Sequence, residues 1–469
     1  QEIIICYYIK GETTFFIMFV SSHHCDNRIT DLGVHSTPFL CYNTSNDTNT
    51  LITLRPHQQR ALDAMSTADK GQIIVPTGGG KTFIMIQHAK KLLETPNMYL
   101  NRPKHIVVVA PRILLAQQLC DDFMEQVKGR VCHAHSGETH YYSTTKALEI
   151  ANFVEGCRAL HENAIIFTTY HSLHRVLESD IPIDAIYFDE AHNSVTRQFF
   201  PKAMESSKVA DKCYFFTATP RTARKNEGIH TRGMNNKFVY GDVLESVPAP
   251  ELIANGSIVS PTIVPFTTEM DLDRDTMHET QTRTVINVLD TLDEESASKV
   301  LIAVPSSRIL GNMIGHTTLL SQLRLRGYDY LHVTSKYGAY INDKKVNREE
   351  FMTTLSEWGK DNNKKFVVMH YSILSEGINV HGLTHCILLR NLNVVSMAQT
   401  IGRVIRMHKD DTKAIAEGRI PAGACQFYRK PTGYLTVPIH NNYGNAVVKR
   451  LQRVVDEIFV KGVAPTSIV

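Results

Sequence analysis

Short runs of apolar residues recur along the chain and alternate with longer segments in which apolar residues are spaced every three or four positions. Within the short runs the residues are apolar without alternation, which is typical of parallel strands buried on both faces. The runs lie at residues 72–75, 105–110, 164–167, 185–188 and 213–216, and again at 300–304, 330–333, 366–369 and 386–389. The pattern therefore predicts an α/β protein with two parallel sheets in tandem.

The two ends of the chain follow other patterns. Residues 2–9 and 13–20 predict a small β hairpin that turns at Lys10 and Gly11, and the polar residues there leave no apolar run long enough to span a bilayer. The stretch also lacks the basic start of a signal peptide. Residues 445–460 have the apolar spacing of an amphipathic helix that packs on the body.

These patterns divide the chain into five predicted segments. The boundaries rest on the polar stretch that follows the N-terminal hairpin and on the prolines and glycines of residues 240–261. The segments are a small N-terminal accessory segment (1–50), a first domain (51–245), a linker (246–260), a second domain (261–430) and a C-terminal extension (431–469) that holds the predicted helix.

Composition narrows the class of protein. Hydrophobic residues (43%) and charged residues (21%) are near the averages of globular proteins. The net charge of +3 gives no broad case for nucleic-acid binding, so any such surface must be local. Nine scattered cysteines argue against a disulfide framework and predict an intracellular protein, in the cytoplasm or in a nucleus or viral replication site.

Residues 75–82 (VPTGGGKT) follow a predicted strand and precede a predicted helix at 83–93, as a phosphate-binding loop requires. Glycine N–H groups and the helix N-terminus favour phosphate. Lys81 would contact the β- and γ-phosphates, and the Thr82 hydroxyl would hold Mg²⁺. The general pattern has glycine where this chain has Val75. The predicted ATP-binding residues of the loop are Thr77, Gly78, Gly79, Gly80, Lys81 and Thr82.

Residues 186–192 (IYFDEAH) end a predicted strand in two adjacent carboxylates. Asp189 would bind Mg²⁺, and Glu190 would orient and deprotonate the attacking water. Such a pair alone is usually a solvated strand end, but the phosphate loop upstream favours an ATP site. The turn at 217–220 (TATP) could couple this acidic loop to the neighbouring domain.

Residues 399–406 (QTIGRVIR) place Arg403 and Arg406 on one face of a helix. They could reach across an interdomain cleft as arginine fingers that stabilise the transferring phosphoryl group. A solvated basic face is the alternative. Upstream, the loop at 375–379 (SEGIN) is a plausible cleft loop between ATP and nucleic acid.

In order and spacing, these motifs resemble those of the DEAD/DEAH-box-like helicases of superfamily 2 over residues 54–406. Besides the phosphate loop and the acidic loop, the segments similar to family motifs are LRPHQ (54–58, adenine recognition), APR (110–112, motif Ia), TTY (168–170, motif Ib), TATP (217–220, motif III), VPSS (304–307, motif IV), SEGIN (375–379, motif V) and QTIGRVIR (399–406, motif VI). The combination of TATPR with QxxGRxxR is more similar to restriction-enzyme translocase subunits and to phage and viral recombination or repair helicases than to the RNA-processing DEAH group.

The resemblance implies two RecA-like domains that use ATP and Mg²⁺. It assigns Arg55 and Gln58 to adenine, and Gly377 of motif V to the nucleotide. It implies a catalytic set of Lys81, Asp189, Glu190, Gln399, Arg403 and Arg406. It also places Arg112, Thr169, Ser306 and Ser375 near the nucleic-acid backbone.

The expected function is an ATP-dependent helicase or translocase, on DNA rather than RNA, with sequence-independent contacts to phosphate. Alternatives are an ATP-gated binding or annealing module, the motor subunit of a restriction or repair complex, and an RNA helicase. The resemblance also implies protein partners in a repair, replication or restriction assembly, and a membrane is not expected. Cys132, His133, His135 and His140 match no standard zinc spacing and are interpreted as loop residues.

Overall fold

The structure is a computed structural model that describes residues 3–9, 12–18, 54–95, 102–137, 139–225, 228–292, 297–334, 336–371 and 382–469. It separates into two compact units, residues 1–53 and 54–469. In the first unit, strands β1 (Ile3–Ile9) and β2 (Glu12–Met18) pair antiparallel, with Ile9 opposite Glu12, which is the predicted hairpin.

The second unit begins with a parallel sheet in the order β11-β3-β9-β8-β4-β7-β5-β6. The strands of this part are β3 (Lys70–Ile74), β4 (His105–Ala110), β5 (Arg130–Ala134), β6 (Tyr142–Ser143), β7 (Ala164–Thr169), β8 (Ala185–Phe188), β9 (Cys213–Thr217), β10 (Arg221–Thr222) and β11 (Asp242–Ser246). The helices are α1 (Pro56–Thr67), α2 (Lys81–Glu94), α3 (Ile113–Met124), α4 (Ala147–Ala159), α5 (Leu173–Leu177), α6 (Phe200–Val209), α7 (Lys237–Tyr240) and α8 (Ala249–Ala254).

A second sheet follows in the order β12-β19-β18-β13-β17-β14-β15-β16, parallel as far as β14 and antiparallel beyond it. Its part of the chain contains β12 (Ser260–Thr267), β13 (Lys299–Ala303), β14 (Asp329–Thr334), β15 (Gly338–Ile341), β16 (Lys344–Val346), β17 (Phe366–His370), β18 (His385–Leu388), β19 (Thr432–Ile439) and β20 (Ser467–Ile468). The helices are α9 (Met277–Asp290), α10 (Ser307–Gly315), α11 (Leu319–Leu325), α12 (Arg348–Lys360), α13 (Val394–Val404), α14 (Lys409–Ala416) and α15 (Asn445–Val455), which a π turn (Asp456–Val460) continues.

Burial on both faces explains the unbroken apolar runs. In β4, Ile106 and Val108 join the hydrophobic core on one face of the first sheet, while Val107 and Val109 join the core on the other. In β13, Leu301 packs in the core on one face of the second sheet, and Val300 and Ile302 pack in the core on the opposite face. The architecture is therefore two tandem α/β domains with RecA-like parallel sheets, as the pattern predicts.

Several connections join parts of the chain that are distant in sequence. The segment predicted as a C-terminal extension contributes β19 to the second sheet, between β12 and β18. The segment predicted as a linker contains α8, and β11 adds an edge strand beside β3. Among the described residues, every helix is too short or too polar to cross a bilayer.

Candidate active site

A cleft of about 420 Å³ lies between the two domains, where the phosphate loop, the strand end after β8 and helix α13 meet. Residues from all three predicted motifs therefore share one cavity, although Asp189 and Arg403 are 214 positions apart in the sequence (403 − 189). The predicted residues that line it are Arg55, Thr77, Gly78, Gly80, Lys81, Thr82, Asp189, Glu190, Gln399, Arg403 and Arg406.

The loop between β3 and α2 has a backbone that suits glycine. Gly78 and Gly80 have φ values of +89° and +87°, in the left-handed region. A Cβ atom on Gly80 would lie 2.6 Å from Nε2 of Gln58, so the Gln58 side chain packs against the loop. Lys81 is 9% exposed, and its Nζ lies 3.3 Å from the carbonyl oxygen of Val75. The first turn of α2 faces the cavity, so its N–H groups are available to an anion.

His57 supports the loop from behind, a role that the sequence analysis did not assign. Its Nε2 lies 2.8 Å from the carbonyl oxygen of Gly79, and its Nδ1 lies 3.2 Å from Nδ2 of Asn255. The Asn255 side-chain oxygen accepts the N–H of Ser257, so its amide nitrogen faces the ring. The neutral ring with hydrogen on Nε2 satisfies both contacts, and burial lowers the pKa of His57 accordingly. The only sequence signal was its place in LRPHQ.

The acidic loop leaves β8 with both carboxylates buried. Asp189 donates its N–H to Val109 of β4, and its carbonyl oxygen accepts the hydroxyl of Tyr170 at 2.8 Å. Burial raises the pKa of the Asp189 carboxyl, the charge of Glu190 raises it further, and Lys81 opposes the shift. Among the described residues, Oε2 of Glu190 has no hydrogen-bond partner.

The turn at 217–220 links the two halves of the site. His192 Nδ1 lies 3.0 Å from Oγ1 of Thr217 and 3.3 Å from Oγ1 of Thr219. The carbonyl oxygen of Thr217 accepts the N–H of Val75, where the phosphate loop begins. A change at the acidic loop can therefore reach the phosphate loop through one turn.

Helix α13 brings the arginines from the second domain. The Asn393 side chain caps its first turn by accepting the N–H of Ser396 at 2.8 Å. Gly402 lies against the phosphate loop, since a Cβ atom there would be 2.5 Å from Cβ of Thr77. Burial lowers the pKa of Arg406 to about 10, an effect that the nearby carboxylate of Asp122 opposes.

Helix α3 and the residue that follows it contribute polar side chains that sequence reasoning missed. Asp122, Gln118 and Glu125 line the cleft, and burial raises the pKa of Asp122 to about 6. In the sequence they are polar positions of an amphipathic helix, with nothing to distinguish them from a solvated face. Only the packing of the second domain over α3 brings them into the site.

Three residues predicted to contact nucleic acid, Arg112, Thr169 and Ser306, are not among the residues that line the cleft. Arg112 lies two residues after β4, and Thr169 is the last residue of the adjacent strand β7. Ser306 follows β13 and caps α10, its Oγ accepting the N–H of Ile309 at 3.1 Å. Ser375 and Gly377 lie outside the described residues.

Two family profiles match the chain. One, described as "Type III restriction enzyme, res subunit", matches residues 51–222, and the other, "Helicase conserved C-terminal domain", matches residues 281–408. No curated protein sequence matches the chain.

Solved structures with the same fold share little sequence with this chain. The "ATP-dependent Type ISP restriction-modification enzyme LlaBIII bound to DNA" is 16% identical, with a TM-score of 0.62 over 89% of this chain and 31% of that chain. Mss116p "bound to ssRNA and AMP-PNP" is 15% identical, with a TM-score of 0.56 over 88% of this chain and 74% of that one. A "putative HsdR subunit of a type I restriction enzyme from Vibrio vulnificus YJ016" is 16% identical, with a TM-score of 0.50 over 82% and 68%. The chain thus spans about a third of the length of LlaBIII.

Proposed function

This chain belongs to the superfamily 2 helicases, in the branch of the restriction-enzyme translocase subunits, and from that premise we propose that it is an ATP-driven motor on DNA. The observation that carries the proposal is the cleft, in which a phosphate loop and an acid pair from one domain meet two arginines from the other. Hydrolysis at such an interface can be coupled to movement of one domain against the other.

The cleft has the side chains that ATP and Mg²⁺ need. The glycines of the loop and Lys81 suit phosphate. The pair Asp189 and Glu190 suits a cation, because burial and the charge of Glu190 raise the pKa of Asp189 and a bound cation would favour its ionised form. Thr82 and Asp189 would hold Mg²⁺, which when bound draws negative charge from the β- and γ-phosphates. Arg55 and Gln58 would bind the adenine.

Each remaining residue has a role in the proposed reaction. The Glu190 carboxylate orients a water molecule and accepts its proton, for which a buried oxygen without a hydrogen-bond partner is suited. Arg403 and Arg406 stabilise negative charge on the γ-phosphoryl group as it transfers. Gln399 lies on the same helix, one turn away from Arg403, and completes the wall of the cleft.

Nucleic acid would cross the carboxyl ends of both sheets. Arg112 and Thr169 lie there in the first domain and Ser306 in the second, and Ser375 completes the proposed set by resemblance. Gly377 is proposed, also by resemblance, to contact the nucleotide. Contacts of this kind position the phosphate backbone without reading sequence. DNA is proposed over RNA as the track because the family profile that matches the first domain is that of a restriction enzyme, whereas solved structures with this fold are bound to either polymer.

A second candidate function is the motor part of a larger restriction or repair enzyme. It is favoured by the short match to LlaBIII, of which this chain covers 31%. An RNA helicase and an ATP-gated binding or annealing module remain the competing proposals, and the experiments below separate them.

The first experiment compares ATP hydrolysis by the wild type and by Glu190→Gln. It is run without nucleic acid and then with single-stranded, duplex or branched DNA and with RNA. We expect DNA to stimulate the wild type and to leave the variant inactive. Stimulation by RNA alone would identify an RNA helicase instead.

A strand-displacement assay then distinguishes a motor from a binding module. A motor displaces a labelled strand only with hydrolysable ATP, and Lys81→Ala abolishes displacement. Equal displacement by wild type and Lys81→Ala would contradict the proposed ATP-driven motor. If the wild type hydrolyses ATP but displaces no strand, the ATP-gated binding module becomes the better account.

A further inference from the structure

A second cavity, of about 660 Å³, opens on the second domain beside the amino ends of β13 and β18. The described residues that line it include no Asp or Glu, although Asp410 outside the lining pairs with Arg429 at 3.1 Å. We call it the cationic pocket and define it by Lys299, His385, His408, Arg429, Lys430 and Tyr434.

The two lysines at its base are almost fully buried, with exposed fractions of 4% for Lys299 and 5% for Lys430. The Lys299 Nζ donates to the carbonyl oxygens of Gly359 and Asp361, at 2.6 and 2.7 Å. An ammonium has three N–H donors, so these two carbonyl partners leave one donor for a ligand, and the charge of Asp361 offsets the effect of burial only in part. Burial therefore lowers the pKa of Lys299 to about 8.

Lys430 is in the same situation. Its Nζ donates to the carbonyl oxygens of Leu383 and Arg406, at 2.6 and 2.7 Å, and burial lowers its pKa to about 7. The carboxylate of Asp411 accepts the backbone N–H groups of Arg429 and Lys430 rather than the ammonium. Two buried cations thus share a cavity in which an anion would compensate their charge.

Another part of the wall is flat and apolar. The rings of His385 and Tyr434 are stacked with centroids 4.8 Å apart and 12° between their planes. Burial lowers the pKa of His385 to about 4, so its ring is neutral near pH 7. Phe266 and Leu292 extend this surface. A flat heteroaromatic ring would pack well against it.

We propose that the cationic pocket binds a nucleotide, with its phosphate held by Lys299, Lys430 and Arg429 and its base against the ring of Tyr434. A free mononucleotide and one nucleotide of a strand share this chemistry. The pocket lies apart from the interdomain cleft, but the hydrogen bond from Lys430 to the carbonyl oxygen of Arg406 connects the two.

The test is binding of radiolabelled AMP to the full chain by equilibrium dialysis. Arg429→Gln is the first variant, because its side chain is 52% exposed and the substitution should not disturb folding. We expect it to weaken AMP binding at least tenfold, since a charge-assisted phosphate contact is lost. Tyr434→Leu should weaken AMP binding several-fold, because the contact between the base and the tyrosine ring is lost. Lys413→Gln, 73% exposed on α14 and outside the pocket, is the matched control.

Lys81→Ala makes the test independent of the interdomain cleft. We expect this variant to bind AMP at the cationic pocket as the wild type does. The proposal is overturned if the wild type binds no AMP, or if Lys81→Ala weakens AMP binding while Arg429→Gln does not. Competition by oligothymidylate would identify a strand as the source of the nucleotide, and competition by mononucleotides alone would identify a free one.

Discussion

Glu190 is held in a conformation that a non-glycine residue rarely adopts, with a φ of +46°. Its carbonyl oxygen accepts the N–H of Asn193 at 3.0 Å and the side-chain amide of the same residue at 3.1 Å. On the other side, the N–H of Asp189 is bonded to β4. The backbone is therefore held on both sides of Glu190, whose side chain lines the cleft.

We predict that Glu190→Gln lowers kcat for ATP hydrolysis by about 10²- to 10⁴-fold, the usual contribution of a general base, with little change in ATP affinity. The amide is the same size but cannot accept the proton. Steady-state hydrolysis and ATP binding are measured side by side. Glu205→Gln, at an exposed position of α6, is the control, and retention of kcat in Glu190→Gln would exclude Glu190 as the base.

His57 is expected to act by positioning the phosphate loop. Its ring is fully buried and bonds to Gly79 and Asn255, so His57→Ala leaves both groups without a partner. A loss of about 1–2 kcal/mol would raise the KM for ATP roughly tenfold, with a smaller effect on kcat. A fall in kcat at unchanged KM would contradict this positioning role. Exposed His230→Ala is the control, and thermal unfolding shows whether either variant is merely unstable.

At the scale of elements, α13 and the connection to β12 enclose the phosphate loop from the second domain. The N–H of Val259 donates to the carbonyl oxygen of Ile405 at 2.8 Å, just after α13. Ile258 packs against Gly78, and Gly402 packs against Thr77. The close approach explains why this helix has a glycine one residue before Arg403.

Gly402→Ala tests this contact. The added methyl group would meet Cβ of Thr77, and overpacking of this kind costs about 1–3 kcal/mol. We expect ATP hydrolysis to fall at least tenfold because the arginines no longer reach their positions. Gly315→Ala on α10 is the control, because it is the same substitution in a helix but its added Cβ would meet nothing within 4 Å. Equal activity of the two variants would show that α13 does not need this close contact.

The elements also show what a sequence pattern can and cannot predict. Strands such as β4 and β8 were predictable because both faces are buried, which leaves a continuous apolar run. The position of β19 between β12 and β18 was not predictable, because it depends on tertiary packing between strands that are distant in sequence. In the same way, the glycines and Lys81 predicted a phosphate site from sequence alone. His57 and Asp122 have a role only because the tertiary fold places them beside other site residues.

At the scale of the whole molecule, the last residues of the chain return to the first domain. β20 pairs in parallel with β10, which directly follows the turn at 217–220. The N–H of Ser467 donates to the carbonyl oxygen of Pro220 at 3.1 Å, and that of Val469 to Thr222 at 3.0 Å. A two-residue strand has no periodicity, so the sequence could not predict this pairing. The tail thereby connects α15 of the second domain to the turn that links the acidic and phosphate loops.

Ser467→Pro removes the N–H that bonds to Pro220 while leaving the extended backbone possible. One such bond contributes about 0.5–1.5 kcal/mol, so we expect the ratio of closed to open molecules to fall about two- to tenfold without ATP. Energy transfer between one dye on each domain measures this ratio. Ser467→Ala keeps the N–H and should behave as the wild type. If Ser467→Pro and Ser467→Ala give the same ratio, the tail does not hold the domains together, and the packing of α13 on the phosphate loop is sufficient for closure.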